Sequence, residues 1–310
     1  MNKVEDRIRQ SKGLRILDII LVFAITFFAN IICSFIVDFT YSVSYLARNG
    51  TANDYSAMVE AMYKDPSILM FSALYNLIAI AVVVIFWRFV DRQELKRLGY
   101  RLSGKSLLQM LLGCAAAFAA IGLIVFLGTK SGIIQYQGAG SEYFTNSQLM
   151  NASLISVITF LLVGFGEETV FRSYIQNHLT DIAGNRYGLV LAALIFTGAH
   201  LFTYGKLLDF IDVFLAGIIL GYAFMLTKSI YLSAFFHFLW DYLQMAVFRI
   251  QDYQYYKGPV LYVYNNIGDL VIKGFNLGNQ LELVFIFTEL ILLSLMFTHR
   301  KRLQRLGANK

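Results

Sequence analysis

Acidic, basic and imidazole side chains occur inside three long apolar segments in the carboxy-terminal half of the chain. They are Glu167, Glu168, Arg172, His200, His237 and Asp241. A charged side chain in a membrane helix costs at least about 2.5 kcal/mol on insertion scales, so it needs a partner or a water-filled cavity. These residues are therefore the first candidates for chemistry.

The spacing within two of the segments predicts which side chains lie near each other. On a helix with 3.6 residues per turn, Glu168 and Arg172 share a face, so the guanidinium can neutralise the carboxylate. Glu167 points about 100° away from Glu168 and is left to meet another group. His237 and Asp241 are also one turn apart and share a face. One glutamate is thus expected to be paired and the other available.

A carboxylate, two imidazoles and a second carboxylate around one cavity favour hydrolysis. A glutamate can take a proton from water, a histidine can stabilise an oxyanion or protonate a leaving amine, and an aspartate can orient the histidine. A second scheme uses the same types of side chain as ligands of Zn²⁺, which lowers the pKa of its bound water to near 7. That zinc site would consist of Glu167, His200, His237 and Asp241. The residue types leave both schemes open.

The composition indicates that these groups are positioned by membrane helices. The chain has 310 residues, of which 57% are hydrophobic and 15% are charged. Soluble domains have about 45–50% apolar and about 25% charged residues, so a soluble globular protein is excluded. The net charge is +6, but the basic residues form short clusters between apolar runs and not one basic face. The predicted environment is a lipid bilayer, and no nucleic-acid partner is expected.

Eight apolar runs are long enough, or nearly so, to cross a membrane core that needs about 20 residues of helix. The fold class predicted from them is all-α, a polytopic membrane helical bundle with about eight transmembrane helices. The runs are residues 16–37, 67–90, 106–128, 148–172, 188–203, 207–226, 229–249 and 280–298. The sixth run is interpreted as a plain span, whereas the fourth, fifth and seventh contain the ionisable residues.

The Lys and Arg residues between the runs predict the orientation. With a cytoplasmic amino terminus, 19 of the 26 fall on the inner side, as the positive-inside rule requires. Both termini are then cytoplasmic. The frequent Ile, Asn, Lys and Tyr residues favour a bacterial cell membrane.

The remaining segments complete the predicted organisation. Residues 38–66 and 250–279 are expected to be water-exposed outer loops, the second with interfacial tyrosines. His178, in a predicted inner loop, and His299 are interpreted as surface or interface residues. The chain divides into amino-terminal membrane helices (1–147), a catalytic membrane core (148–250), and an outer loop, last helix and basic tail (251–310).

Three motifs in the carboxy-terminal half resemble a known family. The resemblance is to the CAAX protease and bacteriocin-processing group of intramembrane proteases, called the CPBP or Abi family, and it covers residues from about 148 to 250. Each motif alone is weak, but three in the right order on predicted membrane helices are fairly specific. The motifs are Glu167-Glu168-x-x-x-Arg172, Phe196-x-x-x-His200 and His237-x-x-x-Asp241.

The resemblance implies a role for each motif residue. Glu167 would activate water, with Glu168 and Arg172 as its structural and electrostatic support. His200 and His237 would face the scissile carbonyl or a metal.

The last motif residue departs from part of the family. Asp241 stands where the prenyl-protein proteases of the group typically have Asn, which argues against a prenylated substrate. Family members have been described both as zinc proteases and as metal-free glutamate proteases, so Zn²⁺ and a metal-free mechanism both remain open.

The function implied is an intramembrane endopeptidase that acts on a membrane-bound peptide or protein. The substrate would be a leader peptide, a pheromone or bacteriocin precursor, or a lipidated tail, with a membrane signalling or peptide-export protein as a further partner. An alternative is a non-catalytic scaffold or bacteriocin-immunity protein of the same fold that regulates a membrane partner. A proton-coupled transporter is a third class, and the lack of a visible internal repeat argues against it.

Overall fold

Helices form most of the molecule in a computed structural model, which describes residues 12–49, 55–201, 205–250, 258–266 and 268–307. The prediction of an all-α membrane bundle is confirmed for these residues. The α-helices are α1 (Lys12–Asn49), α2 (Tyr55–Lys64), α3 (Met70–Ile85), α4 (Gly104–Lys130), α5 (Asn146–Glu168), α6 (Asn177–Ala183), α7 (Asn185–Ala199), α8 (Leu207–Thr227), α9 (Tyr231–Asp241), α10 (Leu281–Thr298) and α11 (Arg300–Arg305).

Three α-helices continue into π-helical segments with wider turns. These segments are Phe86–Val90 after α3, Thr169–Gln176 after α5 and Tyr242–Val247 after α9. Single 3₁₀ turns form at Pro66–Leu69, Leu95–Leu98 and Gly140–Glu142. π-Helical turns inside α-helices occur frequently at functional sites. The junctions of α5 and of α9 with their π segments are therefore candidate positions for a functional site.

Two small antiparallel sheets supplement the bundle. In the first, β1 (Ile134–Ala139) pairs with β2 (Tyr262–Asn266), and the register shifts between Tyr136 and Gly138. In the second, β3 (Asp269–Ile272) pairs with β4 (Phe275–Asn279). Residues 250–279, predicted as an outer loop, therefore contain three strands, whereas Tyr253, Tyr255 and Tyr256 lie outside the described residues.

Six helical stretches of the described chain are long and apolar enough to cross a membrane. They correspond to six of the eight predicted runs, which supports an integral membrane protein. The runs at 188–203 and 229–249 correspond to shorter helices, α7 with 15 residues and α9 with 11 residues before its π segment. The count of eight therefore stays a prediction, as do the orientation of the termini and the division at residues 147 and 250.

The first outer loop is more helical than expected. Helix α1 continues through Asn49, and α2 occupies Tyr55–Lys64, so most of the segment 38–66, predicted as a water-exposed outer loop, is helical. The residues from 38 to 49 contain no Gly or Pro that would end the helix, and Gly50 is the first. The 38 residues of α1 rise about 57 Å, which exceeds the thickness of the membrane core.

His178 is buried on a helix, which contradicts its interpretation as a surface or interface residue in an inner loop. Its side chain is 5% exposed, and its ring packs against Trp87 and Tyr174. Its Nε2 lies 3.4 Å from Oδ2 of Asp91. The π segment at Thr169–Gln176 continues without a break into α6, so His178 lies on the same long helical stretch as Glu168 and not in a loop. His299, by contrast, is exposed as expected.

Helix α9 lies in the middle of the bundle because glycines let its neighbours approach. It packs closely against α4 and α5. A Cβ at Gly113 of α4 would lie 2.6 Å from the Leu232 carbonyl oxygen, and a Cβ at Gly164 of α5 would lie 2.6 Å from that of Ala234. Small residues at helix crossings permit this backbone contact in membranes. The crossing places the third motif directly against the first.

Candidate active site

The first motif lies at the junction between α5 and its π segment. Glu168 is the last residue of α5, and both Glu168 and Arg172 are fully buried. Oε2 of Glu168 lies 3.3 Å from Nε of Arg172. The expected pair is thus formed, but across the change from α- to π-helical geometry. Because each partner alone would be a buried charge without compensation, the two side chains depend on each other.

Polar contacts from other elements hold the π segment in place. The Ser173 hydroxyl donates to the Leu98 carbonyl at 2.6 Å, and Nε2 of Gln176 donates to the Gly221 carbonyl at 2.9 Å. The hydroxyls of Tyr100 and Thr169 are also hydrogen-bonded to each other. The segment that carries Arg172 is therefore attached to the 95–100 connection and to α8.

His237 joins the two glutamates of the first motif to the aspartate of the third. Its Nδ1 lies 3.3 Å from Oε1 of Glu168. Its Nε2 lies 3.5 Å from Oδ2 of Asp241 and 3.8 Å from Oε2 of Glu167. The predicted sharing of a face by His237 and Asp241 is therefore observed. Only the crossing of α5 and α9 brings this imidazole to both glutamates.

His200 occupies the carboxy-terminal end of α7. Its Nδ1 lies 2.8 Å from the Phe196 carbonyl oxygen, one turn earlier. With a proton on Nδ1, the imidazole donates to this carbonyl, which orients the ring and leaves chemistry to Nε2. Phe196 is 3% exposed and its ring contacts three motif side chains: its centroid lies 4.6 Å from the His200 ring, 6.2 Å from the His237 ring and 4.6 Å from the Arg172 guanidinium. Its place in the motif is explained by this packing.

A cavity of about 660 Å³ connects the motifs. Glu167, His200, His237 and Asp241 line it, whereas Glu168 and Arg172 stand behind its wall. The structure therefore separates the six predicted site residues into four that line the cavity and two that are buried behind it.

The cavity also contains polar residues that the sequence analysis missed. They are Asn76, Asp212, Gln244 and Glu289. The interpretation of residues 207–226 as a plain span is wrong, because Asp212 is buried within it. The signal was present in the sequence, since a carboxylate or amide inside an apolar run needs a partner. Asn76 has a further role, because it packs on Gly166, where a Cβ would lie 2.1 Å from its Oδ1.

The described side chains do not form a ready metal site. Zinc ligands lie about 2.0–2.2 Å from the ion in tetrahedral geometry. Among the described residues, no group of three or more His, Cys, Asp or Glu side chains is arranged to hold a metal ion. The four residues predicted as zinc ligands line one cavity, and zinc binding by them stays a prediction.

The family match coincides with this site. Residues 149–243 match the Rce1-like family model, described as type II CAAX prenyl endopeptidase Rce1-like. The predicted resemblance to the CPBP family is confirmed. The matched range includes all three motifs and the crossing of α5 and α9, and it supports an intramembrane endopeptidase at the level of the family. No curated protein and no solved structure matches the chain.

Proposed function

We propose that this protein is an endopeptidase that hydrolyses a peptide bond of a membrane-associated peptide or protein with a water molecule activated by Glu167. One observation carries the proposal. The Glu167 carboxylate and the His237 imidazole lie 3.8 Å apart at the wall of one cavity, with a buried ion pair directly behind them. A carboxylate suited to act as a base and an imidazole suited to donate a proton therefore lie beside one cavity.

The proposed reaction begins with proton transfer from water to the Glu167 carboxylate. The water oxygen attacks the scissile carbonyl carbon, and the carbonyl π electrons move to its oxygen. An imidazole N–H, from His237 or His200, stabilises that oxyanion. The oxyanion then collapses, the C–N bond breaks, and the leaving amine takes the proton held by Glu167. The net reaction adds one water to one peptide bond, and Glu167 returns to its carboxylate form.

The remaining motif residues position these groups. Asp241 contacts Nε2 of His237, and Glu168 contacts Nδ1, so the two carboxylates restrict the imidazole ring. Arg172 supplies the positive charge that Glu168 needs in a buried site. We propose no step through a metal, and the zinc scheme is left to a chelation experiment.

Leader peptides and pheromone or bacteriocin precursors are the preferred candidates for the substrate, and lipidated tails are the less favoured candidate. Asp241 favours this order, because a carboxylate in place of the amide typical of prenyl-protein proteases changes the charge beside the reacting imidazole. Both termini are proposed to be cytoplasmic, in a bacterial cell membrane, with cleavage near the cytoplasmic side.

The test is complementation of a deletion strain with wild type, Glu167→Gln and His237→Ala, scored by mass spectrometry of membrane peptides at matched expression. Glu167→Gln keeps the size of the side chain and removes the base, so a precursor cleaved by wild type should accumulate. Loss of a general base typically lowers the rate by about 10²–10⁴-fold. Glu94→Gln is the matched control, because Glu94 is exposed and outside the cavity. If the Glu167 variant restores full function, the protein acts as a scaffold or immunity protein and not as a protease.

A further inference from the structure

Two carboxylates outside the three motifs are buried in the membrane-spanning part of the bundle. Asp212 on α8 is 9% exposed and Glu289 on α10 is 1% exposed. Each has an oxygen with no hydrogen-bond partner among the described residues, Oδ1 of Asp212 and Oε2 of Glu289. Burial of a carboxylate is costly unless a partner compensates it. The partners that the structure gives them are also acids, because Asp212 interacts with Glu289 and with Glu282.

Both carboxylates line the same cavity as the motif residues. Five carboxylates line this cavity, and its other titratable side chains are two histidines and two tyrosines. The carboxylates are those of Asp38, Glu167, Asp212, Asp241 and Glu289. Among the described residues that line the cavity, none is Lys or Arg. A space with acidic walls and a low dielectric attracts positive charge.

Amide oxygens on two further elements point to the same kind of ligand. Gln244, in the π segment after α9, is 4% exposed, and Asn76 on α3 is 1% exposed. Both residues line the cavity, and Oε1 of Gln244 and Oδ1 of Asn76 have no hydrogen-bond partner in the described part of the chain. Burying a hydrogen-bond acceptor without a donor lowers the stability of the folded protein. A ligand with several N–H donors would satisfy these oxygens and the carboxylates together.

We propose that Asp212 and Glu289, with Gln244, form a binding subsite for a Lys or Arg side chain of the peptide substrate. This inference rests on the proposed function and names its substrate class, a membrane peptide with a basic residue near the scissile bond. An ammonium has three donors and a guanidinium five, and the apolar stem of either side chain suits the aromatic walls of the cavity. A bare metal ion fits less well, because the cavity of about 660 Å³ is much larger than an ion and the described carboxylates are not arranged as a metal site.

The experiment measures binding separately from cleavage. The full-length Glu167→Gln protein in nanodiscs is titrated with fluorescein-labelled apolar peptides of Leu and Ala that carry one Lys at successive positions. Each peptide has a partner in which norleucine replaces Lys, and a second partner with Arg. Fluorescence anisotropy gives Kd, and the same peptides are incubated with wild type for mass spectrometry.

At one or more positions, the Lys and Arg peptides should bind at least about tenfold more tightly than the norleucine peptide. A tenfold decrease in Kd is the effect expected from one hydrogen bond between charged groups. Asp212→Asn and Glu289→Gln should each reduce that preference, and the double variant should abolish it. Glu94→Gln should leave it unchanged. The neutral isosteres preserve shape, and a thermal unfolding midpoint equal to that of wild type verifies folding.

The outcomes separate the two proposals. A Lys preference that disappears in the double variant, without cleavage by wild type, supports the subsite and contradicts the endopeptidase. Equal binding of Lys and norleucine peptides at every position, or a preference that survives the double variant, overturns the subsite even if wild type cleaves the peptides. The two carboxyls would then be a structural pair.

Discussion

The substitution Gly164→Ala should inactivate the site without changing any motif residue. Gly164 lies at the crossing of α5 and α9, three residues before Glu167. A Cβ there would lie 2.6 Å from the Ala234 carbonyl oxygen and 2.9 Å from the Phe238 amide nitrogen. Both neighbours are backbone atoms, so they cannot rotate away as a side chain would. The two helices must therefore move apart.

The size of that movement follows from the contact distance. Ordinary contact begins near 3.4 Å, so the helices must separate by about 0.8 Å at this point. If the movement is transmitted, the distance of 3.8 Å between Glu167 Oε2 and His237 Nε2 opens to about 4.6 Å. A misplacement of about 1 Å can lower a rate by about 10²-fold. Overpacking of this kind typically costs about 1–3 kcal/mol, so the protein should still fold.

The assay is the initial rate of cleavage, in proteoliposomes, of the precursor identified by complementation. The rate should fall by roughly 10²-fold, with a modest decrease in the unfolding midpoint. Gly122→Ala on α4 is the matched control, because nothing lies within 4 Å of a Cβ at Gly122. A Gly164→Ala protein that cleaves at the wild-type rate would refute the reasoning that the crossing of α5 and α9 sets the catalytic distance.

Three further predictions concern the supports of the site and the metal. Arg172→Ala should destabilise the protein by about 3–5 kcal/mol, because it leaves Glu168 as a buried charge, and the double variant with Glu168→Gln should recover part of the loss in thermal unfolding. Ser173→Ala should cost about 1–3 kcal/mol in the same measurement, since the buried Leu98 carbonyl loses its donor, whereas Ser42→Ala, which removes a more exposed hydroxyl contact within α1, should change it little. Chelation with 1,10-phenanthroline or EDTA should leave the cleavage rate unchanged; loss of activity that returns with added Zn²⁺ would contradict the metal-free mechanism.

Local spacing explains why the pairs within each motif could be predicted. Glu168 with Arg172, and His237 with Asp241, are each four residues apart, and helical periodicity alone brings such residues together. The ionisable groups stand out because the surrounding runs are apolar and charge is costly in a membrane. The same reasoning should have selected Asp212 and Glu289, which lie in apolar runs of the same kind.

The sequence by itself determined the membrane environment, the helical class and the composition of each motif, because these depend on residue type and on spacing within one helix. Only the tertiary structure decided that His237 meets both glutamates, that Glu168 stands behind the cavity wall while Glu167 faces it, and that His178 is buried. Those contacts depend on where helices cross. Glycines at the crossings of α9 permit the approach, but a glycine in a sequence does not reveal which backbone it will meet.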